Sequence, residues 1–267
     1  MPGLRRQRST PGYSIPPSSV RQIMDRRIEP EWLDALPADD PRAIRSRRDL
    51  RRLNALMGNV GAMASTLLIT FSHGPPKRIV DLGAGDGTMM LGLARRLARR
   101  WRHVEAVLVD RQAIVRQETQ RQFEALSWSA KPVTADILDW FAQPARDPVG
   151  LITANLFLHH FSGPALLRLL RLAAERTGCF VACEPRRYPA AVRASRWLWL
   201  IGCGRVTCHD AVASVRAGFN GTELSALWPP AGGWQLQEKP AGLFTHCFVA
   251  RHLGGQPTSP QKDGADI

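Results

Sequence analysis

The stretch KRIVDLGAGDGTMMLGLARRL, residues 77–97, decides the fold. A short apolar run is followed by glycines at positions 83, 85 and 87, and then by apolar residues at helical spacing, namely Met89, Met90, Leu93 and Leu97. This pattern predicts a strand, a tight turn and a helix. Glycine accepts positive φ angles and lets a ligand approach the main chain, while the first turn of the helix offers free N–H groups. We therefore expect the turn to bind a nucleotide-like ligand.

The charges in this turn indicate which ligand it takes. A dinucleotide-binding turn places a pyrophosphate at the helix N-terminus, whereas here Asp81 precedes the first glycine and Asp86 lies between the last two. These carboxylates disfavour phosphate and favour a ligand with an amino group and a sulfonium. VDLGAGDGT resembles motif I of the class I S-adenosylmethionine-dependent methyltransferases. The resemblance implies that Asp81, Gly83, Ala84 and Gly85 bind S-adenosylmethionine; a turn without a ligand is the alternative.

The composition is typical of a globular protein. The chain has 267 residues, of which 44% are hydrophobic and 22% charged, so we expect one large α/β domain with tails. Its apolar runs are shorter than the roughly 18 residues of a spanning helix, and the N-terminus lacks the apolar core of a secretory signal. We therefore expect no transmembrane segment and a cytoplasmic protein. Five cysteines, an odd number without the common zinc spacing, indicate reduced thiols and no metal site.

The net charge of +13 raises the question of nucleic acid. The excess comes from arginines in the N-terminal arm, in RSRRDLRR (residues 45–52) and on the polar face of the helix after the glycine turn, while lysine is nearly absent. Because these arginines are scattered, they favour solvated faces over a nucleic-acid surface.

A second anchor follows the second predicted strand. VEAVLVD, residues 104–110, is apolar and ends in Asp110, 27 residues after Gly83. An acid at the end of this strand accepts hydrogen bonds from ribose hydroxyls in nucleotide-binding α/β folds. We predict that Asp110, with Arg111 beside it, binds the cofactor, and a helix cap is the alternative for Asp110. The next helix is predicted within residues 111–126.

The third and fourth strands complete the predicted cofactor site. KPVTADILDW predicts a strand that ends at Asp136, and the resemblance implies that Asp136 contacts the adenine amino group and Ile137 lines the ring. VGLITANLFLHHF, residues 149–161, predicts a strand that ends beside the sulfonium, with Asn155 either a cofactor contact or a strand-end turn residue. The segment lacks the prolines of enzymes that methylate amino groups of adenine or glutamine. It also lacks the Pro-Cys of cytosine C5 methylation, so Cys183 is interpreted as a packed thiol.

The flanking segments define the predicted domains. Residues 1–30 are interpreted as a mobile basic arm, 31–76 as an N-terminal helical cap, 77–253 as the methyltransferase domain and 254–267 as a disordered tail. The cap is predicted to hold a short helix near Trp32, a turn at residues 37–41 and a longer helix up to residue 57. The resemblance implies that it covers the cofactor cleft; the alternative is a packing helix pair.

The second half of the domain is predicted to contain a lid. Residues 162–178 predict an amphipathic helix, CFVACEP a fifth strand, and residues 233–253 a final hairpin around residues 240–242. Between them lies an insertion whose apolar run, Trp197, Leu198, Trp199, Leu200 and Ile201, is expected to line a pocket for an apolar or aromatic molecule, or else to form a buried helix. The expected fold is thus α/β: a Rossmann-like seven-stranded class I methyltransferase sheet with an N-terminal helical cap and a lid insertion after strand five.

The resemblance implies methyl transfer from S-adenosylmethionine to a small acceptor, aromatic or polyketide-like, at oxygen. SRRDLRRLNALMGN and HDAVASVRAGFNGTEL also resemble bacterial small-molecule methyltransferases that accompany type III polyketide synthases. The alternatives are an RNA methyltransferase, suggested by the arginines, and a non-catalytic binding protein that keeps the fold. The sequence does not indicate an oligomeric state.

Three histidines are candidate general bases for a hydroxyl acceptor, because an ordinary histidine pKa suits proton removal at neutral pH. His159 and His160 follow the fourth strand, so one of them is expected to project toward the sulfonium, and His159 is favoured. His209 lies in the insertion beside Asp210, where the alternative is a cap for a helix that begins near Asp210. Positioning alone, without a base, is the competing mechanism.

Overall fold

A computed structural model describes residues 24–144, 149–230 and 232–254, and within them seven strands form one mixed sheet. The strands are β1 Arg78–Leu82, β2 Val104–Asp110, β3 Trp128–Thr134, β4 Leu151–Asn155, β5 Cys179–Pro185, β6 Trp234–Pro240 and β7 Thr245–His252. Their order is β3-β2-β1-β4-β5-β7-β6, and only the pairs of β7 with β5 and β6 are antiparallel. The strand order therefore switches between β1 and β4, where α/β sheets bind ligands at the carboxyl ends of the strands. The predicted seven-stranded α/β sheet is confirmed.

Helices cover both faces of the sheet. The α-helices are α1 Trp32–Ala35, α2 Pro41–Met57, α3 Asn59–Thr70, α4 Thr88–Leu97, α5 Gln117–Glu124, α6 Ile137–Ala142, α7 Gly163–Arg176, α8 Pro189–Ser195, α9 Arg205–Ala217 and α10 Glu223–Leu227. Two 3-10 helices, Leu158–His160 and Leu198–Ile201, follow β4 and α8. Successive strand residues such as Ile79 and Val80 enter different core clusters, because side chains alternate across a sheet. A parallel sheet buried on both faces explains why the central strands are almost wholly apolar.

The N-terminal helices follow clear local signals. Asp40 caps α2 through the Arg42 N–H, Pro41 occupies its first turn, and Gly58 ends it with a φ of 72°. The next helix, α3, packs against α4 and was not predicted from the sequence. No single helix among the described residues has the length and apolar character to cross a membrane; α2 and α3, bent by 54°, pass that test only as a pair.

The segment just before α1 is held on the domain. The Arg26 guanidinium donates to the Ala217 carbonyl at 2.7 Å and lies 4.6 Å from the centre of the Phe219 ring. The Met24 carbonyl accepts a 2.7 Å hydrogen bond from Arg187. The arm predicted to extend to residue 30 therefore includes a packed segment from residue 24 onward. Residues 1–23 of that arm, and residues 255–267 of the predicted tail, lie outside the described residues.

Several predicted boundaries are wrong although the element type is right. Strand β3 runs from Trp128 to Thr134, so Asp136 lies two residues beyond its end and caps α6. Strand β4 ends at Asn155, and a 3-10 helix replaces the rest of the predicted strand. The helix after Asp110 begins only at Gln117. By contrast, β1, β2, β5 and the final hairpin match the sequence prediction.

Candidate functional site

A cavity of about 1090 Å³ opens at the carboxyl ends of β1, β2 and β4. Residues of α1, α2 and α9 form its other walls, among them Leu33, Leu50, Leu53, Met57 and Val215. Its size fits a site that holds more than one small molecule, since ligand pockets measure roughly 300 to 1,000 Å³. The cavity lies at the switch point of the sheet, and its walls are both polar and apolar.

The glycine turn forms the floor of the cavity. Gly83 has a φ of 68°, and a Cβ built on it would lie 2.1 Å from the Phe157 ring, so both its conformation and its surroundings require glycine. Gly85 has a φ of 55°, and nothing lies within 4 Å of the position its Cβ would take. The main chain at Gly85 is therefore open to a ligand, with Ala84 beside it in the cavity wall.

Asp110 faces this open turn from the end of β2. Its carboxylate accepts hydrogen bonds from the Gly85 and Gln112 N–H groups, both at 2.8 Å. These two contacts fix the carboxylate at the cavity wall. The neighbouring Arg111 side chain is mostly exposed and lies 3.8 Å from Asp34 across the opening.

The two acids of the glycine turn differ in environment. Asp81 is buried and accepts a 2.8 Å hydrogen bond from the Thr153 hydroxyl. Burial and, to a lesser extent, the nearby Asp110 raise the pKa of Asp81 to about 7, although the Thr153 hydrogen bond opposes the rise. Asp86 instead accepts from the Thr88 N–H at the start of α4 and forms a 2.8 Å ion pair with Arg51. Gly87 is the N-cap of α4, and Asp86, one residue earlier, accepts the first N–H group of the helix.

Asp136 and Ile137 lie in the cavity wall after β3. One Asp136 oxygen accepts the Leu138 N–H at 2.8 Å and so caps α6. Ile137 is buried at the base of that helix. Both residues thus follow β3, whereas the sequence prediction placed Asp136 at the end of the strand itself.

Asn155 ends β4 and belongs to an amide network. Its side-chain oxygen accepts from Asn59 at 3.0 Å, and its side-chain nitrogen donates to Asn54 at 3.3 Å. Asn59 in turn accepts from the Thr245 hydroxyl. The network ties β4 and β7 to α2 and α3, so Asn155 both lines the cavity and connects the sheet to the N-terminal helices.

The loop after Asn155 is held by a buried carboxylate at the end of β5. Glu184 accepts the Phe157 and Leu158 N–H groups at 3.0 and 2.9 Å. Leu156 adopts a φ of 52°, which a branched side chain rarely takes. Such strain persists only where the surroundings fix the backbone, and it is common at functional sites.

His159 lies buried between two carboxylates. Its Nδ1 is 2.8 Å from Glu184 and its Nε2 is 3.3 Å from Glu31. Burial disfavours the protonated ring, but hydrogen bonds to Glu184 and Glu31 outweigh burial and raise the pKa of His159 to about 9. The imidazolium with two carboxylate partners is therefore the favoured form at neutral pH, and that form does not accept a proton.

His160 also faces the cavity, so both members of the pair line it. Its Nδ1 lies 3.5 Å from Asp34, and its ring is tilted against that of His159 at 4.3 Å. Burial first, and then the positive charge of His159, lower the pKa of His160. His160 is thus the member of the pair that is neutral, and able to accept a proton, at pH 7.

His209 does not line the cavity. Its ring stacks on Trp32 with the centroids 3.9 Å apart, and its Nδ1 lies 2.8 Å from Asp210. The predicted capping role is also wrong, because α9 begins at Arg205 and His209 lies inside it. Asp210 instead caps α1, accepting the Trp32 and Leu33 N–H groups.

The predicted pocket run is only partly in the cavity. Leu198 and Ile201 line it, whereas Trp197, Trp199 and Leu200 do not. These three are more than half exposed, so the alternative of a buried helix is wrong as well. Cys183 is a fully buried thiol in contact with Cys247, as predicted.

One group among the described residues has the geometry for a metal ion. The ligand atoms of Glu31, His159 and His160 lie within 4.8 Å of one another. Both ring nitrogens of His159 already have carboxylate partners, however, and these hydrogen bonds satisfy the group without a cation.

Three acids at the site were missed by sequence reasoning: Glu31, Asp34 and Glu184. Glu184 had a detectable signal, since it lies one residue before the carboxyl end of β5, the strand beside β4 with the predicted Asn155. Glu31 and Asp34 had none, because they lie 128 and 126 positions before their histidine partners.

No protein-family model and no curated protein sequence matches this chain. Solved structures do. The plantazolicin methyltransferase BpumL, in complex with a triazolic desmethylPZN analog and SAH, superposes with a TM-score of 0.59 at 13% identity, over 80% of this chain and 92% of that one. An O-methyltransferase family protein from Burkholderia thailandensis gives 0.54 at 16% identity, over 80% and 61% of the two chains. The mitomycin 7-O-methyltransferase MmcR gives 0.52 at 16%, over 82% and 60%.

Sequence identities of 13 to 16% are low, so the similarity to these structures establishes the fold alone. The sheet order, the glycine turn between β1 and α4, and the cavity at the switch point agree with it. The chain has the fold of the class I S-adenosylmethionine-dependent methyltransferases.

Proposed function

We propose that the chain is an S-adenosylmethionine-dependent methyltransferase that methylates a hydroxyl of a small acceptor, aromatic or polyketide-like. The observation that carries this proposal is the convergence of Asp81, Asp110 and the open turn at Gly85 in one cavity. The fold neighbours are methyltransferases named for plantazolicin and mitomycin, and several contain SAH. Their names support a small natural product as acceptor.

The residues present fit S-adenosylmethionine. The open main chain at Gly85 admits a ligand without a clash, and Asp110 beside it would accept the ribose hydroxyls. Asp136 and Ile137 would contact the adenine, and Asp81 and Asn155 line the part of the cavity left for the amino acid portion. Bound there, the cofactor supplies a methyl group already activated by a positive sulfur.

The protein then contributes mainly orientation. Holding two reactants in line replaces an encounter in solution, and well-oriented intramolecular reactions reach effective molarities of roughly 10⁵ to 10⁸ M. Leu198, Ile201 and the residues of α1 and α2 line the part of the cavity away from the turn. In this proposal they form the acceptor pocket, and the helical cap and the insertion exclude water.

If the acceptor hydroxyl must lose a proton, the general base in this proposal is His160 rather than His159. His160 faces the cavity as a neutral imidazole, while both nitrogens of His159 have carboxylate partners. His159 acts as a positioning residue, since its charge lowers the pKa of His160. His209 lies outside the cavity wall and has no part in this step. We also propose that the protein is cytoplasmic, where S-adenosylmethionine is made.

Calorimetry tests the cofactor assignment. S-adenosylmethionine and S-adenosylhomocysteine should bind, whereas NAD and ATP should not, because the turn presents carboxylates where phosphates need donors. At a concentration a hundredfold above the dissociation constant, binding should stabilise the fold by about 2.7 kcal/mol. A folded sample that shows neither heat nor a melting shift with either sulfur compound would contradict the proposal.

Labelled donor with a cell extract, followed by mass analysis of the product, identifies the acceptor. Label on RNA would favour the RNA methyltransferase alternative, for which the exposed arginines of α2 are the supporting observation. Binding of the cofactor without any labelled product would favour the non-catalytic alternative.

A further inference from the structure

The 3-10 helix after α8 carries a cluster of exposed apolar side chains. Trp197, Trp199, Leu200 and Ile201 are 58%, 57%, 63% and 56% exposed, and the two indole rings are 6.1 Å apart. Single exposed apolar residues are normal, but contiguous patches mark interaction sites. We call these four side chains the apolar patch. It adjoins the cavity, because Ile201 belongs to both.

The apolar patch is surrounded by positive charge. Between Glu184 and Asp210 the sequence has five arginines and no acid, and Arg193, Arg196 and Arg205 are exposed. The neighbouring α2 has six arginines, one of which, Arg45, donates to the Gly202 carbonyl at the end of the patch. The one acid of α2, Asp49, is buried and accepts from Gly204 and Thr207. Two arginines of α2, Arg42 and Arg51, pair with Asp40 and Asp86 outside these segments. Among the described residues, no acid forms an ion pair with the arginines nearest the patch, namely Arg45, Arg193, Arg196 and Arg205.

The exposed apolar side chains and the arginines around them allow a choice between three possible partners of the apolar patch: a second copy of the chain, single-stranded RNA and a membrane. A second copy of the chain is disfavoured, because it would bring two arginine borders together at a net charge of +13 each. Single-stranded RNA uses aromatic rings for stacking, which leaves the equally exposed Leu200 and Ile201 without a role. Tryptophan with aliphatic side chains, bordered by arginine, is the composition that enters the interface of anionic membranes.

We propose that the apolar patch docks on an anionic lipid surface. The side chains of residues 197, 199, 200 and 201 enter the boundary between headgroups and acyl chains, at a depth of roughly 5 to 10 Å. Arg45, Arg193 and Arg196 contact the lipid phosphates. Gly202, with a φ of 84°, ends the 3-10 helix three residues before α9 begins at Arg205.

Co-sedimentation of the full chain with vesicles tests the proposal. Binding should be strong on phosphatidylcholine vesicles that contain phosphatidylglycerol at low salt, and weak on pure phosphatidylcholine or at high salt. The double variant Trp197→Ser, Trp199→Ser should bind at least about tenfold more weakly, since both anchors are lost. Arg193→Gln with Arg196→Gln should lose about fivefold per arginine.

The chain offers matched controls. Ile69→Ser removes a side chain that is 78% exposed on α3, and Arg99→Gln with Arg100→Gln removes two exposed charges just after α4. Both controls should bind vesicles like the wild type, and every variant should keep the wild-type melting temperature. Brominated lipids should quench wild-type tryptophan fluorescence, and the quenching should disappear in the tryptophan double variant.

Three outcomes would overturn the proposal. The wild type does not sediment with anionic vesicles, or the tryptophan double variant sediments equally well. Alternatively, the double variant loses affinity for an RNA oligonucleotide but not for vesicles, which would assign the apolar patch to RNA.

Discussion

The Nδ1 atom of His159 lies 2.8 Å from Oε2 of Glu184, while the other carboxylate oxygen, Oε1, accepts the backbone N–H groups of Phe157 and Leu158. Glu184 is the last residue but one of β5, so this contact fixes His159 to the sheet. Glu31 approaches the other side of the same ring. The charge on His159 thus depends on two strands and on a segment before the first helix.

The first prediction concerns stability and pH. The pKa of His159 is about 9 in the folded state against 6.5 for an ordinary histidine, so between these values the folded state binds more protons. The stabilisation is complete below pH 6.5 and is lost as pH rises through about 9, with a slope of up to about 1.4 kcal/mol per pH unit. Urea unfolding across this range should show the slope in the wild type and a flatter one in His159→Gln. The variant of the exposed His73, His73→Gln, is the control, and equal slopes in all three proteins would contradict the assigned charge.

The second prediction separates the histidines by role. With a known acceptor, His160→Gln should lower turnover by roughly 10² to 10⁴ while the affinity for S-adenosylhomocysteine stays nearly normal. The His209→Gln variant should keep near-normal turnover, because His209 lies outside the cavity wall. In His159→Gln, the fall of turnover on the acid side should occur at a higher pH than in the wild type. The reason is that the variant lacks the positive charge that lowers the pKa of His160. Full activity of His160→Gln from pH 6 to 9 would mean that positioning alone suffices.

The third prediction compares two acids near the glycine turn. Asp110→Ala should weaken binding of S-adenosylhomocysteine by about 1.5 to 3 kcal/mol, as expected for lost hydrogen bonds to a charged group. Asp86→Ala should instead lower the free energy of unfolding by about 1 kcal/mol, because Asp86 accepts the Thr88 N–H at the start of α4 and pairs with Arg51. Calorimetry and urea unfolding of both variants measure the two effects. Equal affinities of wild type and Asp110→Ala would show that the ribose assignment is wrong.

The fourth prediction concerns two glycines with different surroundings. Gly83→Ala places a methyl group 2.1 Å from the Phe157 ring, so the variant should unfold at clearly lower urea concentration. Gly85→Ala meets open space, so it should cost only the roughly 1 to 2 kcal/mol of a left-handed residue but block the cofactor. Phe157→Leu in the Gly83→Ala background should restore part of the stability. A Gly85→Ala protein with wild-type cofactor affinity would place the ligand elsewhere.

Local pattern was sufficient for much of the fold. Alternating glycines after an apolar run defined β1, its turn and α4, and the acid at the end of VEAVLVD marked the end of β2. These features are readable because each depends on neighbours in sequence: periodicity, the φ angles open to glycine, and strand length. The end of β3 was predicted two residues too late, because Asp136, taken as the acid that ends the strand, is instead the N-cap of α6.

The sequence by itself determined the α/β class, the seven strands and the positions of the predicted cofactor residues, all of which line one cavity. Only the tertiary structure decided the surroundings of the three histidines. The charge on His159 comes from Glu31 and Glu184, His160 faces Asp34, and His209 is withdrawn onto Trp32. The same holds for Trp197 and Trp199 of the insertion, which were predicted to line a pocket or to lie in a buried helix but are exposed outside the cavity. The pKa of a side chain and its exposure to solvent depend on groups that are distant in sequence and adjacent in space. A local sequence pattern does not contain information about those groups.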